Sequence, residues 1–236
     1  MFNFKKFSVE DAEATMKVGT DAVLLGVCAD VADNCRILDI GTGCGVVALI
    51  LAQRCGGKSR IDSVEIDGKS CAAAKRNFES SPWSSCLSVK NTSVQDFADQ
   101  MPEKYDLIVS NPPFFNNSLK SPDRKRNLAR HTESLPFSEL IECCIQMLSP
   151  TGKATLILPP AEADIFTGMA EKKGLFSSSR IMIFNKPDRE VVRVIFTLQK
   201  TKPYDTYVSE LAIRNLDDTY TDEYLNLTRD FYTFIK

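Results

Sequence analysis

An asparagine, two prolines and an aromatic ring follow one another at Asn111-Pro112-Pro113-Phe114, directly after the apolar run Tyr105-Asp106-Leu107-Ile108-Val109-Ser110. Each proline fixes its own φ, lacks an N–H and biases the residue before it towards extended geometry. Carbonyl oxygens at such a strand end are left free to face a ligand. Together with an amide side chain and a flat ring, they suit the gripping of a planar group that carries an amino nitrogen. Asn111, Pro112 and Phe114 are therefore the candidate catalytic residues, with Pro113 and Phe115 as candidate walls of the acceptor pocket. Taken alone, the tetrapeptide is explained equally well as a rigid strand-ending turn with a buried phenylalanine.

A second set of residues lies upstream. Asp39-Ile40-Gly41-Thr42-Gly43-Cys44-Gly45 sits where one apolar run ends and another begins. Glycines at a strand-to-helix turn let a ligand approach bare backbone beside a helix N-terminus. A dinucleotide fingerprint would need its third glycine at position 46, which is Val46, so the spacing is off for NAD. Glu65, 20 positions past Gly45 in Val64-Glu65-Ile66-Asp67, can accept both hydroxyls of a ribose. Helix capping, the plainer role for an acid there, fits Asp67 better. Asp96 is placed to accept from an adenine amine, with Val94 or Phe97 as apolar neighbours, and a helix-capping role accounts for it nearly as well. The candidate cofactor-binding residues are Asp39, Gly41, Gly43, Gly45, Glu65, Ile66, Asp96 and Asn111.

The elements that must position these groups alternate. Strands are expected at 36–40, 61–66, near 87–89, 105–110, 154–158, 180–184 and 191–198. Helices are expected at 20–32, 46–54, 67–80, 137–148 and 161–173. Such alternation implies a parallel sheet covered on both faces. The polar joint Asn185-Lys186-Pro187-Asp188 turns the last two strands into a hairpin, which leaves an antiparallel edge. The tail adds a short strand candidate at 210–214 and a helix candidate at 221–231. With 236 residues and no repeat or long linker, one domain is expected: an N-terminal helical extension over 1–35, a core over 36–200 and a C-terminal extension over 201–236.

Composition narrows the chemistry. The eight cysteines (28, 35, 44, 55, 71, 86, 143 and 144) contain no C-x-x-C, and the single histidine, His131, has no cysteine near it. Reduced, mostly buried thiols and no metal are expected. No apolar run reaches the roughly 20 residues of a membrane helix, and the N-terminus lacks a signal-peptide pattern, so the expected location is the cytoplasm with no membrane partner. A net charge of −2 argues against a nonspecific nucleic-acid coat. A local basic patch exists all the same: Lys120, Arg124, Lys125, Arg126, Arg130 and His131 directly follow the Asn-Pro-Pro-Phe turn. Arg124, Lys125, Arg126 and Arg130 are candidate substrate-binding residues, though a solvated loop would read the same way.

Glycine loop, acid after the second strand, acid after the third and Asn-Pro-Pro-Phe after the fourth form an ordered set. It resembles the Rossmann-like class I S-adenosylmethionine-dependent methyltransferases. The aromatic-ended motif resembles those that methylate planar nitrogens. The resemblance implies an α/β fold with a mostly parallel seven-stranded sheet, an antiparallel edge strand and helices on both faces. Further blocks are similar to the bacterial tRNA1(Val) (adenosine-37-N6)-methyltransferase family: 16–26, Ser81-Pro82-Trp83, Asn111 to Phe115, Ala129-Arg130-His131-Thr132 and 227–232. They span nearly the whole chain. Cys44 departs from the small residue, such as threonine, expected in its slot. The family implies S-adenosyl-L-methionine as cofactor and methylation of adenosine 37 in the anticodon loop of a valine tRNA.

Rival readings remain at this stage: a guanine N2-methyltransferase of ribosomal RNA, a protein glutamine methyltransferase, a nucleotide-binding oxidoreductase, or a catalytically silent RNA-binding module. The roles of His131, Lys17 and Asp21 are open, with Lys17 and Asp21 as candidate roof residues of the cofactor pocket. The sequence does not set the oligomeric state; a monomer is the expectation.

Overall fold

The computed structural model describes residues 1–12, 14, 17–100, 104–113 and 135–235. Phe114, Phe115, Lys120, Arg124, Lys125, Arg126, Arg130 and His131 lie outside the described residues.

The chain opens with a short antiparallel pair, β1 (Phe2–Asn3) and β2 (Ser8–Val9), before α1 (Thr20–Cys28). The alternating core follows: β3 (Arg36–Ile40), α2 (Val46–Arg54), β4 (Arg60–Glu65), α3 (Gly68–Glu79), β5 (Leu87–Asn91), α4 (Val94–Gln100) and β6 (Tyr105–Ser110). Then come α5 (Phe137–Met147), β7 (Leu148–Leu158), α6 (Pro160–Lys172), β8 (Phe176–Phe184), β9 (Val191–Gln199), β10 (Tyr207–Ala212) and α7 (Asp222–Thr228).

Among the described residues, eight strands form one sheet in the order β10-β8-β9-β7-β6-β3-β4-β5. Only β9 runs against its neighbours, β7 and β8. Successive residues of each inner strand point to opposite faces. Thus Ile37, Leu107 and Val109 join α1, α2 and α3 in one apolar cluster, while Leu38, Ile40 and Ile108 join α4, α5 and α6 in the other. Burial on both sides explains why these strands read as continuous apolar runs.

Two expectations are corrected. The antiparallel strand is interior rather than an edge, and the sheet has eight strands instead of seven. The tail strand, expected at 210–214, begins earlier and pairs in parallel with β8, from Tyr207↔Ser179 to Ala212↔Phe184. It is held by Leu211, which is buried in the same cluster as Ile183 and Phe231. The first helix also stops at Cys28 rather than Ala32. Ala29 turns to extended geometry, and Arg54 Nη1 donates to the carbonyls of Gly26 and Ala29, which satisfies the helix end from across the fold.

The strand order reverses beside β3: β4 and β5 lie to one side, β6 and β7 to the other. In open α/β sheets the crevice at the carboxyl ends of the strands, at such a switch point, is where ligands bind. Asn111-Pro112-Pro113 and the glycine loop open into it from neighbouring strands.

Candidate active site

The glycine loop is shaped by positions that other residues would strain. Gly45 has φ +86 as N-cap of α2, and a Cβ there would lie 2.4 Å from Phe78 Cε1, so backbone angle and space both demand glycine. Gly43, at φ +56, turns its N–H onto Glu65 Oε2 at 2.8 Å. Added Cβ atoms on Gly41 and Gly43 would meet nothing within 4 Å. The loop is tied to β4 by Gly41 and Thr42 N–H groups donating to the Val64 carbonyl. From behind, Asn77 Nδ2 donates to the Cys44 carbonyl at 2.8 Å and to the Glu10 carbonyl, while its Oδ1 accepts from Glu10 N–H.

Glu65 ends β4 with each carboxylate oxygen accepting one backbone N–H, from Gly43 and from Asp67. A carboxylate oxygen takes more than one donor, so both retain capacity towards the cleft. Ile66, next to it, is 61% exposed although apolar. Asp67 is the N-cap of α3, its Oδ2 accepting from Ser70 N–H at 2.8 Å.

Asp39 is 1% exposed. Burial pushes its carboxyl up to about 7, against the lowering effect of Thr42 Oγ1, which donates to Oδ2 at 2.6 Å; the neighbouring Glu65 charge pushes it further up.

On the other rim, Ser110 Oγ donates to the Ile40 carbonyl at 2.9 Å, which holds the end of β6 against the end of β3. Asn111 is half-buried, Pro112 buried and Pro113 exposed, and all three line the same cleft as the glycine loop. The cleft encloses about 980 Å³, at the upper end of the range for small-molecule sites. Asp39, Gly41, Gly43, Glu65, Ile66 and Asn111 line it. Lys17 and Asp21 line it as well, and Arg193 Nε, from the start of β9, donates to Asp21 Oδ2 at 2.7 Å.

Asp96 is the exception among the expected residues. It is exposed, and Thr92, Ser93, Val94 and Gln95 line the cleft in its place. Ser93 Oγ accepts from Asp96 N–H and donates to Asp96 Oδ2 at 2.7 Å, so Ser93 caps the start of α4 and Asp96 is tied to that cap. Gly45 shapes the loop without being a lining residue. Gln95 and Glu139, which sequence reasoning left aside, both reach the cleft and bond to each other.

All eight cysteines are free, and Cys44, in the loop, is buried with its thiol pushed up to about 11 by that burial. Among the described residues there is no group of three or more His, Cys, Asp or Glu that could hold a metal ion, and no helix long and apolar enough to cross a membrane.

Comparison with known proteins agrees with this architecture. Residues 12–157 match the methyltransferase small domain. The tRNA1(Val) (adenine(37)-N6)-methyltransferase of Bacteroides fragilis is 41% identical over 98% of this chain and 97% of its own length. The protein of the same name from Trichodesmium erythraeum is 42% identical over 98% and 97%. Among solved structures, a predicted O-methyltransferase from Agrobacterium tumefaciens superposes with a TM-score of 0.67 over 89% of this chain and 96% of its own, at 19% identity, which speaks to the fold. With a family model over more than half its length and relatives of this identity from end to end, the chain belongs to the methyltransferase small-domain family and, within it, to the tRNA1(Val) (adenine(37)-N6)-methyltransferases.

Proposed function

We propose that this protein transfers a methyl group from S-adenosyl-L-methionine to the N6 amine of adenine 37 in a valine tRNA. The observation that carries the reading is that both candidate sets of residues line one cleft. The glycine loop and Glu65 form one side, and Asn111-Pro112-Pro113 forms the other. Similarity along the whole chain to proteins named for this activity supports the choice of acceptor.

The residues present suit the cofactor. Glu65 has acceptor capacity left for two ribose hydroxyls, exposed Ile66 offers an apolar flank for an adenine, and the bare faces of Gly41 and Gly43 leave room for close approach. The buried Asp39 carboxyl beside Glu65 suits a cationic ligand. When bound, the cofactor supplies a methyl group on a positively charged sulfur.

An exocyclic amine on an aromatic ring is a poor nucleophile because its lone pair is delocalised. Asn111 Oδ1 and the Pro112 carbonyl accept its two hydrogens, so that the nitrogen pyramidalises and points its lone pair along the line of transfer. As the new N–C bond forms, the methyl–sulfur bond breaks to leave a neutral thioether; the now cationic nitrogen then loses its proton to solvent, and no strong base is needed. The effect of Asn111 and Pro112 is positioning. Phe114 is assigned the stacking role by the sequence pattern, which is worth about 1–3 kcal/mol for a base on an aromatic. Pro113 lines the cleft, and Phe115 is assigned to the pocket wall by the sequence pattern alone.

The base must leave its stack to enter, which costs less in a loop than in a duplex. Arg124, Lys125, Arg126 and Arg130 are assigned to flanking phosphates of the anticodon loop. The reading places the enzyme in the cytoplasm and requires one chain only. Incubation with unmodified total tRNA and S-adenosylmethionine, followed by nucleoside mass spectrometry of the isolated valine tRNA, tests it. N6-methyladenosine next to the anticodon is expected; N2-methylguanosine, or no incorporation, overturns the reading.

A further inference from the structure

Recognition of the cofactor's adenine amine needs a hydrogen-bond acceptor near the ends of β4 and β5, and the side chains best placed by sequence are already committed. Asp96 is exposed at the start of α4, and the Ser93 hydroxyl both donates to and accepts from it. Gln95 lines the cleft from the first turn of α4. Its Nε2 donates to Glu139 Oε2 at 2.5 Å, across the contact between α4 and α5. A carboxylate only accepts, so this bond turns the amide nitrogen towards Glu139 and leaves Oε1 as the acceptor of a side chain that lines the cleft. Among the described residues, Gln95 Oε1 has no other partner. Glu139 itself is held in the first turn of α5, its N–H donating to the Pro136 carbonyl.

We propose that Gln95 Oε1 accepts a hydrogen bond from the exocyclic amine of the cofactor's adenine, and that Glu139 is a positioning residue that locks the Gln95 amide in the accepting orientation. The pair therefore selects a 6-amino purine over a 6-oxo purine. With hypoxanthine, a carbonyl oxygen would face Gln95 Oε1, and two acceptors would meet without a proton between them. A site built to bond a ligand group discriminates against the analogue lacking it because its own polar atom is then left unpaired. The inference rests on assigning the cleft to S-adenosylmethionine.

Calorimetric titration with S-adenosyl-L-homocysteine and S-inosyl-L-homocysteine tests it on the wild type, Gln95→Ala and Glu139→Gln. The wild type is expected to prefer the adenosyl ligand by about ten-fold or more, on the scale of one lost hydrogen bond. Gln95→Ala is expected to bring that ratio to within about two-fold of unity. Glu139→Gln, whose own amide can donate or accept and so no longer fixes the facing one, is expected to shrink the preference while Gln95 stays in place. A purely structural bridge between α4 and α5 would weaken both ligands alike. An unchanged ratio in either variant, or an equal loss for both ligands, overturns the inference. Failure of the wild type to bind S-adenosylhomocysteine at all would instead overturn the cofactor reading beneath it.

Discussion

Asp39 offers the most direct test of the site's electrostatics. In the folded chain its carboxyl is pushed from 3.8 up to about 7, chiefly by burial. The folded state therefore holds a proton on Asp39 over a window in which the unfolded chain has lost it. Stability from this group is greatest below pH 4 and falls as pH rises to about 7, above which the buried carboxylate is charged and the cost is complete. A shift of about 3 units at 1.36 kcal/mol each corresponds to about 4 kcal/mol between those limits. Asp39→Asn keeps an oxygen for the Thr42 hydroxyl and cannot ionise, but it presents an amide N–H where a carboxylate oxygen accepted from Ala48 N–H, which costs about 1–3 kcal/mol at every pH. Urea unfolding of cofactor-free wild type and variant, from pH 4 to pH 8, reads the difference. The variant should be the less stable protein at pH 4 and should gain on the wild type by about 4 kcal/mol by pH 8, with the change centred in that window. Contributions of the other carboxylates cancel in the comparison. A stability difference that stays flat with pH to within about 0.5 kcal/mol would show that Asp39 titrates normally and that burial does not govern it.

Three further outcomes follow from the geometry. Asn111→Ala should cut kcat by about 100-fold or more while the Kd for S-adenosylhomocysteine moves by less than about three-fold; comparable losses in both would remove Asn111 from the acceptor side. Gly45→Ala places a Cβ 2.4 Å from Phe78 Cε1 on a backbone at φ +86, so unfolding should become easier by about 2–4 kcal/mol, and adding Phe78→Leu should recover only the steric part; full stability in the single variant would contradict the packing described. Replacing Arg124, Lys125 and Arg126 with alanine should make the dependence of log tRNA affinity on log salt shallower by about two, at roughly 0.7 per phosphate contact, and an unchanged slope would rule those residues out as phosphate ligands.

What the sequence could reveal was local. The bounds of β3, α2 and β6 follow from apolar runs ended by glycine or proline, and the structure places them at Arg36–Ile40, Val46–Arg54 and Tyr105–Ser110 as expected. Asp67 was recognisable as a cap from its position before the helix. The helix-capping alternative for Asp96 was also legible, and the structure ties its exposed carboxylate to Ser93 at the start of α4. Other features were invisible for a physical reason: they join residues far apart in the chain. Gln95 meets Glu139 across 44 positions, Arg54 ends α1 from 28 positions away, and Asn77 braces the glycine loop at a distance of 33. The eighth strand is legible in part: the tail candidate at 210–214 marks it, but its pairing with β8 joins residues 28 positions apart, as in Tyr207↔Ser179. A six-residue segment in a polar tail becomes part of the sheet only because β8 presents an open ladder and Leu211 finds a buried place beside Ile183.

The occupant proposed for the cleft explains why such a costly residue sits near the end of β3, two positions before Gly41. An asparagine would satisfy Thr42 and relieve the burial penalty, so stability alone does not account for an acid there. On the proposed reading, the occupant of the cleft carries positive charge on its sulfur and on its amino group. In a buried setting a carboxylate acts far more strongly on a nearby cation than it would in water, so a cationic occupant favours the ionised form of Asp39 that burial alone disfavours. Glu65, pinned by two backbone N–H groups, adds a second acid whose orientation does not depend on the ligand. Across the crevice, the Ser110 hydroxyl holds the asparagine end of β6 to the carbonyl of Ile40, one residue beyond Asp39. The group that favours the cationic donor and the group that orients the neutral acceptor are therefore built on adjacent strands joined at their ends. The Ser110–Ile40 hydrogen bond and the parallel ladder between β3 and β6 set the spacing between the two.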